Sequence, residues 1–219
     1  LNHKLGKVYH RLGEWERAEG CYQVCLEALE SDANIPLQAG VYADRSLTAY
    51  QRRQLERAGQ MAEKALALAE IAADALSLAQ VHNILGILSR NRNQLQQAVF
   101  HLEQSLSLAN GLAHPGARIA ALNNLSLVYA DQGNLNQAIE YAHRALHLCA
   151  SLGDRHREAA LHNNLADLYH LLGRKEDSMM HLKQAVAIFS EVDDMDSRES
   201  GTGGEQRQTH LEIWKLTEW

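Results

Sequence analysis

Hydrophobic side chains recur at an interval of 40 residues along this 219-residue chain. The recurring large apolar positions are Leu5, Leu85, Leu125 and Leu165 in one register, and Leu26, Leu66, Leu106, Leu146 and Val186 in another. Small residues recur between them, at Ala18, Ala58, Ala98, Ala138 and Ser178. Five copies without insertion or deletion indicate a repeat array, in which each unit buries its apolar face against its neighbours.

The unit at residues 121–154 shows what one repeat contains. Apolar positions in Leu122–Tyr129 follow helical spacing and stop at Gly133–Asn134, where glycine is suited to end a helix in the left-handed conformation. A second helical pattern covers Leu135–Leu148 and ends at Gly153–Asp154, which supplies a cap for the next helix. The pattern predicts an all-α fold of antiparallel helix pairs joined by tight turns.

The register divides the chain into an array, a linker and a tail. The predicted repeats are 1–36, 37–76, 77–116, 117–155 and 156–192. Residues 193–208 lack a hydrophobic period and are predicted to be a flexible linker. Residues 209–219 carry Trp214 and Trp219 and are predicted to dock, either as a cap over the end of repeat five or in a groove. Because the chain starts inside a repeat, we expect it to be part of a longer protein.

Composition excludes several classes of function. The balance of 21 basic and 27 acidic residues offers no basic face for nucleic acid, and no apolar run is long enough to span a membrane. Three cysteines suit a reducing compartment, so a cytoplasmic protein is expected. The sequence has no phosphate loop, dinucleotide turn or nucleophile motif, so neither an enzyme nor a cofactor is expected. His143 and His147 lie one turn apart, but the pattern favours a solvated pair over a metal site.

The repeat resembles the tetratricopeptide repeat. The resemblance rests on the order of leucine, small residue, tyrosine, turn glycine and alanine, which repeat four shows as Leu125, Ser126, Tyr129, Gly133 and Ala138. It extends over residues 1–192 and implies a right-handed superhelical solenoid. Repeat two departs from it, with Ala49 and Arg53 in place of the tyrosine and glycine, so its turn has the weakest signal. The 40-residue period exceeds the usual period of about 34.

Repeats of this length resemble those of kinesin light chains, Pins/LGN spindle adaptors, bacterial quorum-peptide receptors and STAND-type regulatory ATPases. Segments such as ALNNLSLVY are most similar in style to the bacterial regulators. The resemblance implies that the first helix of each repeat lines a concave groove, in which a protein or an extended peptide binds. It argues against chaperone tails, because asparagines stand where a carboxylate clamp carries basic residues.

Asparagines are the most informative groove candidates, because asparagine is a poor helix former and its amide can pair with any peptide backbone. The candidate binding residues are Asn83, Asn123, Asn124, Asn163, Asn164, Lys7, Arg11, Tyr50, Arg90, Asp131, Asp167 and His170. The alternative interpretation is that the asparagines pair with one another between neighbouring helices and set the stacking.

Two functions are consistent with these patterns. The first is a non-catalytic scaffold whose groove binds a protein or peptide, with its own C-terminal segment as a further candidate occupant. The second is a sensor or regulatory C-terminal domain of a multidomain STAND-like ATPase or transcription regulator. A phosphate loop upstream of Leu1 would favour the second.

Overall fold

A computed structural model describes residues 1–29, 34–112 and 114–200 of the chain, with side chains described as far as Val192. Within these residues every regular element is an α-helix. The helices are α1 (Asn2–Arg11), α2 (Trp15–Leu29), α3 (Ile35–Gln51), α4 (Leu55–Ala72), α5 (Ala75–Asn91), α6 (Leu95–Asn110), α7 (Pro115–Asp131), α8 (Leu135–Leu152), α9 (Arg155–Leu171) and α10 (Lys175–Ser200). The predicted all-α fold is confirmed, and each repeat contributes a first helix, with an odd number, and a second helix, with an even number.

Capping residues set where three of the first helices begin. Asn34, Asp74 and Asp154 accept hydrogen bonds from backbone N–H groups three residues later, which satisfies donors that the helix itself leaves unpaired. For this reason α3 and α5 begin at Ile35 and Ala75, two residues before the starts that the 40-residue register predicts.

The turn between the two helices of a repeat places one residue in the left-handed conformation in every copy. Glycine takes this position in repeats one, four and five, where Gly13, Gly133 and Gly173 have φ of 73°, 79° and 74°. Arg53 and Asn93 take it in repeats two and three, with φ of 61° and 58°. The turn therefore keeps its form whether or not the sequence supplies glycine.

Repeat two, where the sequence signal is weakest, makes the same turn hydrogen bonds as repeat four. The N–H of Gln54 donates to the carbonyl of Ala49 at 2.9 Å, as the N–H of Asn134 donates to the carbonyl of Tyr129 at 2.9 Å. The tyrosine missing at Ala49 is thus not needed for the turn. Arg53 holds a conformation that costs an ordinary L-residue about 1–2 kcal/mol.

Small residues allow the two helices of a repeat to approach closely. Ala18, Ala58, Ala98 and Ala138 are all completely buried. A Cβ atom added to Gly86 would lie 2.5 Å from Cγ of Leu102, and one added to Gly6 would overlap the ring of Tyr22. The recurring small positions are therefore sites of close helix contact, as the sequence predicts.

The helices form two compact units, one of Leu1–Ala121 and a second that starts at Leu122, so the boundary lies within α7. An apolar cluster of the first unit joins α3, α4 and α5 through residues such as Leu47, Ala62 and Ile84. In the second unit α8 and α9 share a cluster that contains Ala138 and Leu165. Because each helix pair contributes to a cluster with a neighbouring helix, the core is distributed along the repeats.

The predicted linker 193–208 differs in its first part from the structure, because α10 continues to Ser200. The helix thus includes the first eight residues of that prediction. The rest of the linker and the apolar segment 209–219 lie outside the described residues. In the described part of the chain, no helix is long and apolar enough to cross a membrane.

Candidate functional site

The first helices of the first unit meet around the carboxylate of Asp44 on α3. His3 on α1 places Nε2 2.6 Å from Oδ2, and Nζ of Lys7 lies 3.7 Å from the same oxygen. Gln80 on α5 donates from Nε2 to Oδ1 at 2.8 Å. The side chain of Asp44 is only 8% exposed, so three consecutive first helices share one buried polar contact.

The partners of Asp44 keep its carboxylate charged. Burial by itself favours the neutral acid and is the largest influence on the pKa. The hydrogen bond from His3, the charge of Lys7 and the hydrogen bond from Gln80 outweigh burial and hold the pKa of Asp44 below its ordinary value. This carboxylate is therefore a structural anion at neutral pH, and its neighbours Lys7 and His3 remain partly exposed.

The other site residues predicted in the first unit differ in exposure. Asn83 is completely buried on α5, while Tyr50 and Arg90 are half-buried near the ends of α3 and α5. Arg11 is exposed at the end of α1. Only the last three can reach a partner without a change in packing.

Two predicted residues of the second unit pair with each other. Asn164 on α9 donates from Nδ2 to Oδ1 of Asn123 on α7 at 2.9 Å, and the side chains are 5% and 1% exposed. Asn124 is also buried. This pairing of asparagines between neighbouring first helices is the alternative that the sequence left open, although it uses Asn164 in place of Asn163.

The remaining predicted residues of the second unit are accessible. Asp131, Asp167 and His170 are exposed, and Asn163 is half-buried. They lie on the two first helices α7 and α9. The second unit therefore presents an acidic, hydrogen-bonding set of side chains beside a buried amide pair.

Histidines form contacts that the sequence interpretation missed. His82 and His101 place their Nδ1 atoms 3.1 Å apart, and His162 and His181 place theirs 2.8 Å apart. The two pairs stand 80 residues apart at both positions, which is the signal that could have revealed them. His143 contacts Tyr169, with 3.0 Å between Nε2 and Oη.

Two family models described as tetratricopeptide repeat match residues 1–37 and 118–191, which together are about half of the chain. A comparison with curated protein sequences finds no match. Solved structures show the fold at low identity. The Rap protein complexed with competence and sporulation factor superposes with a TM-score of 0.80 at 16% identity, covering 88% of this chain and 54% of that chain.

Two further structures have the same fold. A STAND protein with a tetratricopeptide repeat sensor from Pyrococcus horikoshii has a TM-score of 0.72 at 16% identity, covering 89% of this chain and 30% of that chain. A putative kinesin light chain from Podosopora anserina, with nearly identical TPR-like repeats, has a TM-score of 0.63 at 20% identity, covering 88% of this chain and 95% of that chain.

Proposed function

Because the chain belongs to the tetratricopeptide repeat family, we propose that it is a non-catalytic module that binds an extended protein segment on the first helices of its repeats. One observation carries the proposal. The polar side chains of these helices divide into a buried set that supports the packing, such as Asn123 and Asn164, and a set that lies at the accessible surface, such as Asp167 and His170. Polar groups held on rigid helices suit recognition of a partner.

The second unit favours a basic partner segment. Asp131 and Asp167 are exposed carboxylates on α7 and α9, and His170 stands one turn beyond Asp167. The amide of Asn163 can both donate to and accept from the backbone of an extended peptide. Lysine or arginine side chains would pair with the carboxylates, while the amide pairs with the backbone whatever the peptide sequence.

The first unit favours the opposite charge. Lys4 and Arg11 are exposed on α1, and Lys7 is partly exposed beside Asp44. An acidic segment would complement this end. The two faces are separate proposals, one for each unit.

To test this proposal, the chain is immobilised and used to select binding peptides from a random phage-displayed library. An enriched peptide is then synthesised, and its affinity for the chain is measured by calorimetry. We expect Lys- and Arg-containing peptides whose affinity falls at least tenfold, about 1.4 kcal/mol, in the variant Asp131→Lys/Asp167→Lys. The matched control is Glu140→Lys/Glu176→Lys, which makes the same charge change at exposed positions of the second helices α8 and α10. Equal affinities for the two variants would exclude this face as the binding site.

A regulatory role is the second candidate function. Its support is that the chain superposes on 30% of the length of a STAND protein that carries a tetratricopeptide repeat sensor. In that case the bound segment would control an activity located elsewhere in a larger protein. Sequencing the gene upstream of Leu1 tests it, since a G-x-x-x-x-G-K-[ST] motif would mark the nucleotide-binding part.

The proposal includes a cytoplasmic location, with support from the free thiols of Cys21, Cys25 and Cys149.

A further inference from the structure

Three histidines from three consecutive helices form a cluster with Tyr169 in the second unit. His162 on α9 and His181 on α10 face each other with Nδ1 atoms 2.8 Å apart, and they are 7% and 4% exposed. The ring of Tyr169 stacks on His181, with 5.3 Å between centroids, and its Oη lies 3.0 Å from Nε2 of His143 on α8. The cluster therefore connects α8, α9 and α10.

The contact between His162 and His181 depends on the number of protons that the two rings carry. A hydrogen bond between two Nδ1 atoms needs one nitrogen with a hydrogen and one without. Two imidazolium rings would place two donors and two positive charges 2.8 Å apart. We propose that the His162–His181 pair is a proton-operated latch, which holds α10 on α9 until both rings become charged and then releases that contact.

The surroundings of His181 favour the neutral ring. Burial is the largest influence and, together with the nearby His162 and His143, it lowers the pKa of His181 to about 4. Asp177, on the same helix, acts in the opposite direction and raises the pKa. Burial and the two neighbouring rings outweigh the carboxylate in their effect on the pKa, so His181 is neutral at pH 7. The latch is therefore closed at neutral pH.

His162 has a similar environment on α9. Burial is again the largest influence and lowers its pKa. Glu158 raises the pKa, whereas His143 and Arg155 lower it. His143, which faces His181 from α8, has a pKa lowered by the partial burial of its ring.

The direction of the pH effect follows from these shifts. An unfolded histidine titrates near its ordinary value of 6.5, whereas folded His181 titrates at about 4. The open state therefore binds protons more readily than the closed state does. The His162–His181 contact stabilises the closed state fully above pH 6.5, and this contribution decreases as pH falls from 6.5 to 4. Each such proton raises the opening constant about tenfold per pH unit within that window.

The chain offers its own comparison. His82 and His101 form the same pair two repeats earlier, on α5 and α6, and burial lowers the pKa of both rings. Repeat four instead carries Leu122 and Tyr141 in these two registers. Leucine and tyrosine therefore occupy these two registers of repeat four without a group that titrates near neutral pH.

Hydrogen exchange measured by mass spectrometry tests the latch directly. We expect the amides of α9 and α10 to lose at least tenfold in protection between pH 7 and pH 5, after correction for intrinsic exchange. The variant His162→Leu/His181→Tyr should abolish this loss, and the control His147→Gln/His156→Gln, at two exposed positions, should keep it. Unchanged protection in the unmodified chain, or the same loss in the first variant, would overturn the proposal.

Nuclear magnetic resonance keeps the test independent of whether the variant folds. In the unmodified chain labelled with ¹⁵N-histidine, we expect a scalar coupling across the hydrogen bond between the two Nδ1 atoms at pH 7.5. The coupling should disappear between pH 6 and pH 4, as α9 and α10 amides lose protection. An absent coupling at pH 7.5, or a coupling that persists at pH 4, would show that the pair does not operate as a latch.

Discussion

Asn164 and Asn123 form the same kind of contact that Asp44 and His3 form at the other end of the sequence. Both pairs join residues 41 positions apart on neighbouring first helices, at 2.9 Å in one case and 2.6 Å in the other. In each pair the later residue is buried and hydrogen-bonded across the gap between repeats. This register is thus a position where one repeat is fixed to the next by a polar contact.

The first prediction separates the structural asparagines from the accessible one. Asn164→Ala leaves Oδ1 of Asn123 without its donor in a buried site, so the free energy of unfolding should fall by about 1–3 kcal/mol. Asn163→Ala, at a half-buried position, should change it by less than about 0.5 kcal/mol. Urea unfolding monitored by circular dichroism measures both.

The chain supplies a compensated variant for this prediction. Repeats two and three carry Ala43 and Ile84 in the corresponding registers, both buried. Asn123→Ala/Asn164→Ile copies that apolar combination and should be less destabilising than Asn164→Ala alone, since no polar group is left unpaired. If Asn164→Ala is as mild as Asn163→Ala, the hydrogen bond does not contribute to stability.

The sequence predicts the repeat because its small and apolar positions are the ones that close helix packing needs. Ala58 and Ala138 are completely buried and stand 80 residues apart. The positions that recur in the sequence are thus the positions where the helices pack closely. The choice between adjacent asparagines is different. Asn163 and Asn164 are adjacent and about 100° apart around α9, so the 40-residue period does not show which of the two turns inward.

The 80-residue spacing of the histidines marks both pairs in the sequence, but it does not show that their rings touch. Contact between His162 and His181 depends on the separation of α9 and α10 and on two side-chain rotamers, none of which the pattern of hydrophobic positions determines. The binding role of the accessible residues stays a prediction, because only a bound partner identifies the side chains that contact it.

A second prediction concerns the close contact between helices. Gly86→Ala places a methyl group 2.5 Å from Cγ of Leu102, so the free energy of unfolding should fall by about 1–3 kcal/mol through overpacking. The matched control is Gly20→Ala on α2, where no described atom lies within 4 Å of the added methyl group. That substitution should raise stability by about 0.5–1 kcal/mol, because alanine is the better helix former. Equal effects of the two would contradict the packing role of the small positions.

A third prediction uses the unusual turn of repeat two. Arg53→Gly removes a left-handed conformation that costs about 1–2 kcal/mol and adds a glycine entropy cost of about 0.5–1 kcal/mol, so stability should rise by about 0.5–1 kcal/mol. Asn93→Gly should change stability less, since asparagine tolerates this conformation. Thermal unfolding measures the difference. A loss of stability in Arg53→Gly would mean that contacts of the Arg53 side chain contribute more to stability than its backbone conformation costs.

A fourth prediction concerns the apolar segment 209–219. The second helix of repeat five leaves Met179, Leu182 and Val186 exposed by 51%, 41% and 58%. Exposed apolar side chains of this size promote association unless they are covered. If the segment docks on them, truncation after Gln208 should raise self-association and lower the free energy of unfolding.

Sedimentation velocity and urea unfolding measure these two effects. The untruncated variant Trp214→Ser/Trp219→Ser provides the control, because it keeps the 219 residues and removes the apolar anchors. It should behave like the truncated chain. A truncated chain that remains monomeric and equally stable would show that the segment does not cover α10.

The last prediction is the pH dependence of the contact at Asp44. Its pKa in the folded chain lies below the ordinary value of 3.8, so its contribution to stability is present above pH 3.8 and is lost as pH falls through the folded pKa. At pH 7, Asp44→Asn should lower the free energy of unfolding by about 1.5–3 kcal/mol, the typical range for hydrogen bonds to a charged group. The difference from the unmodified chain should persist at pH 5, which lies inside the window of pH 6.5 to 4 in which the histidine latch weakens, and shrink only below about pH 4. Glu140→Gln, at an exposed carboxylate on α8, should show no such difference at any pH. Urea unfolding at pH 7, 5 and 3 measures the three chains, and a difference that disappears by pH 5 would assign the effect to histidine and not to Asp44.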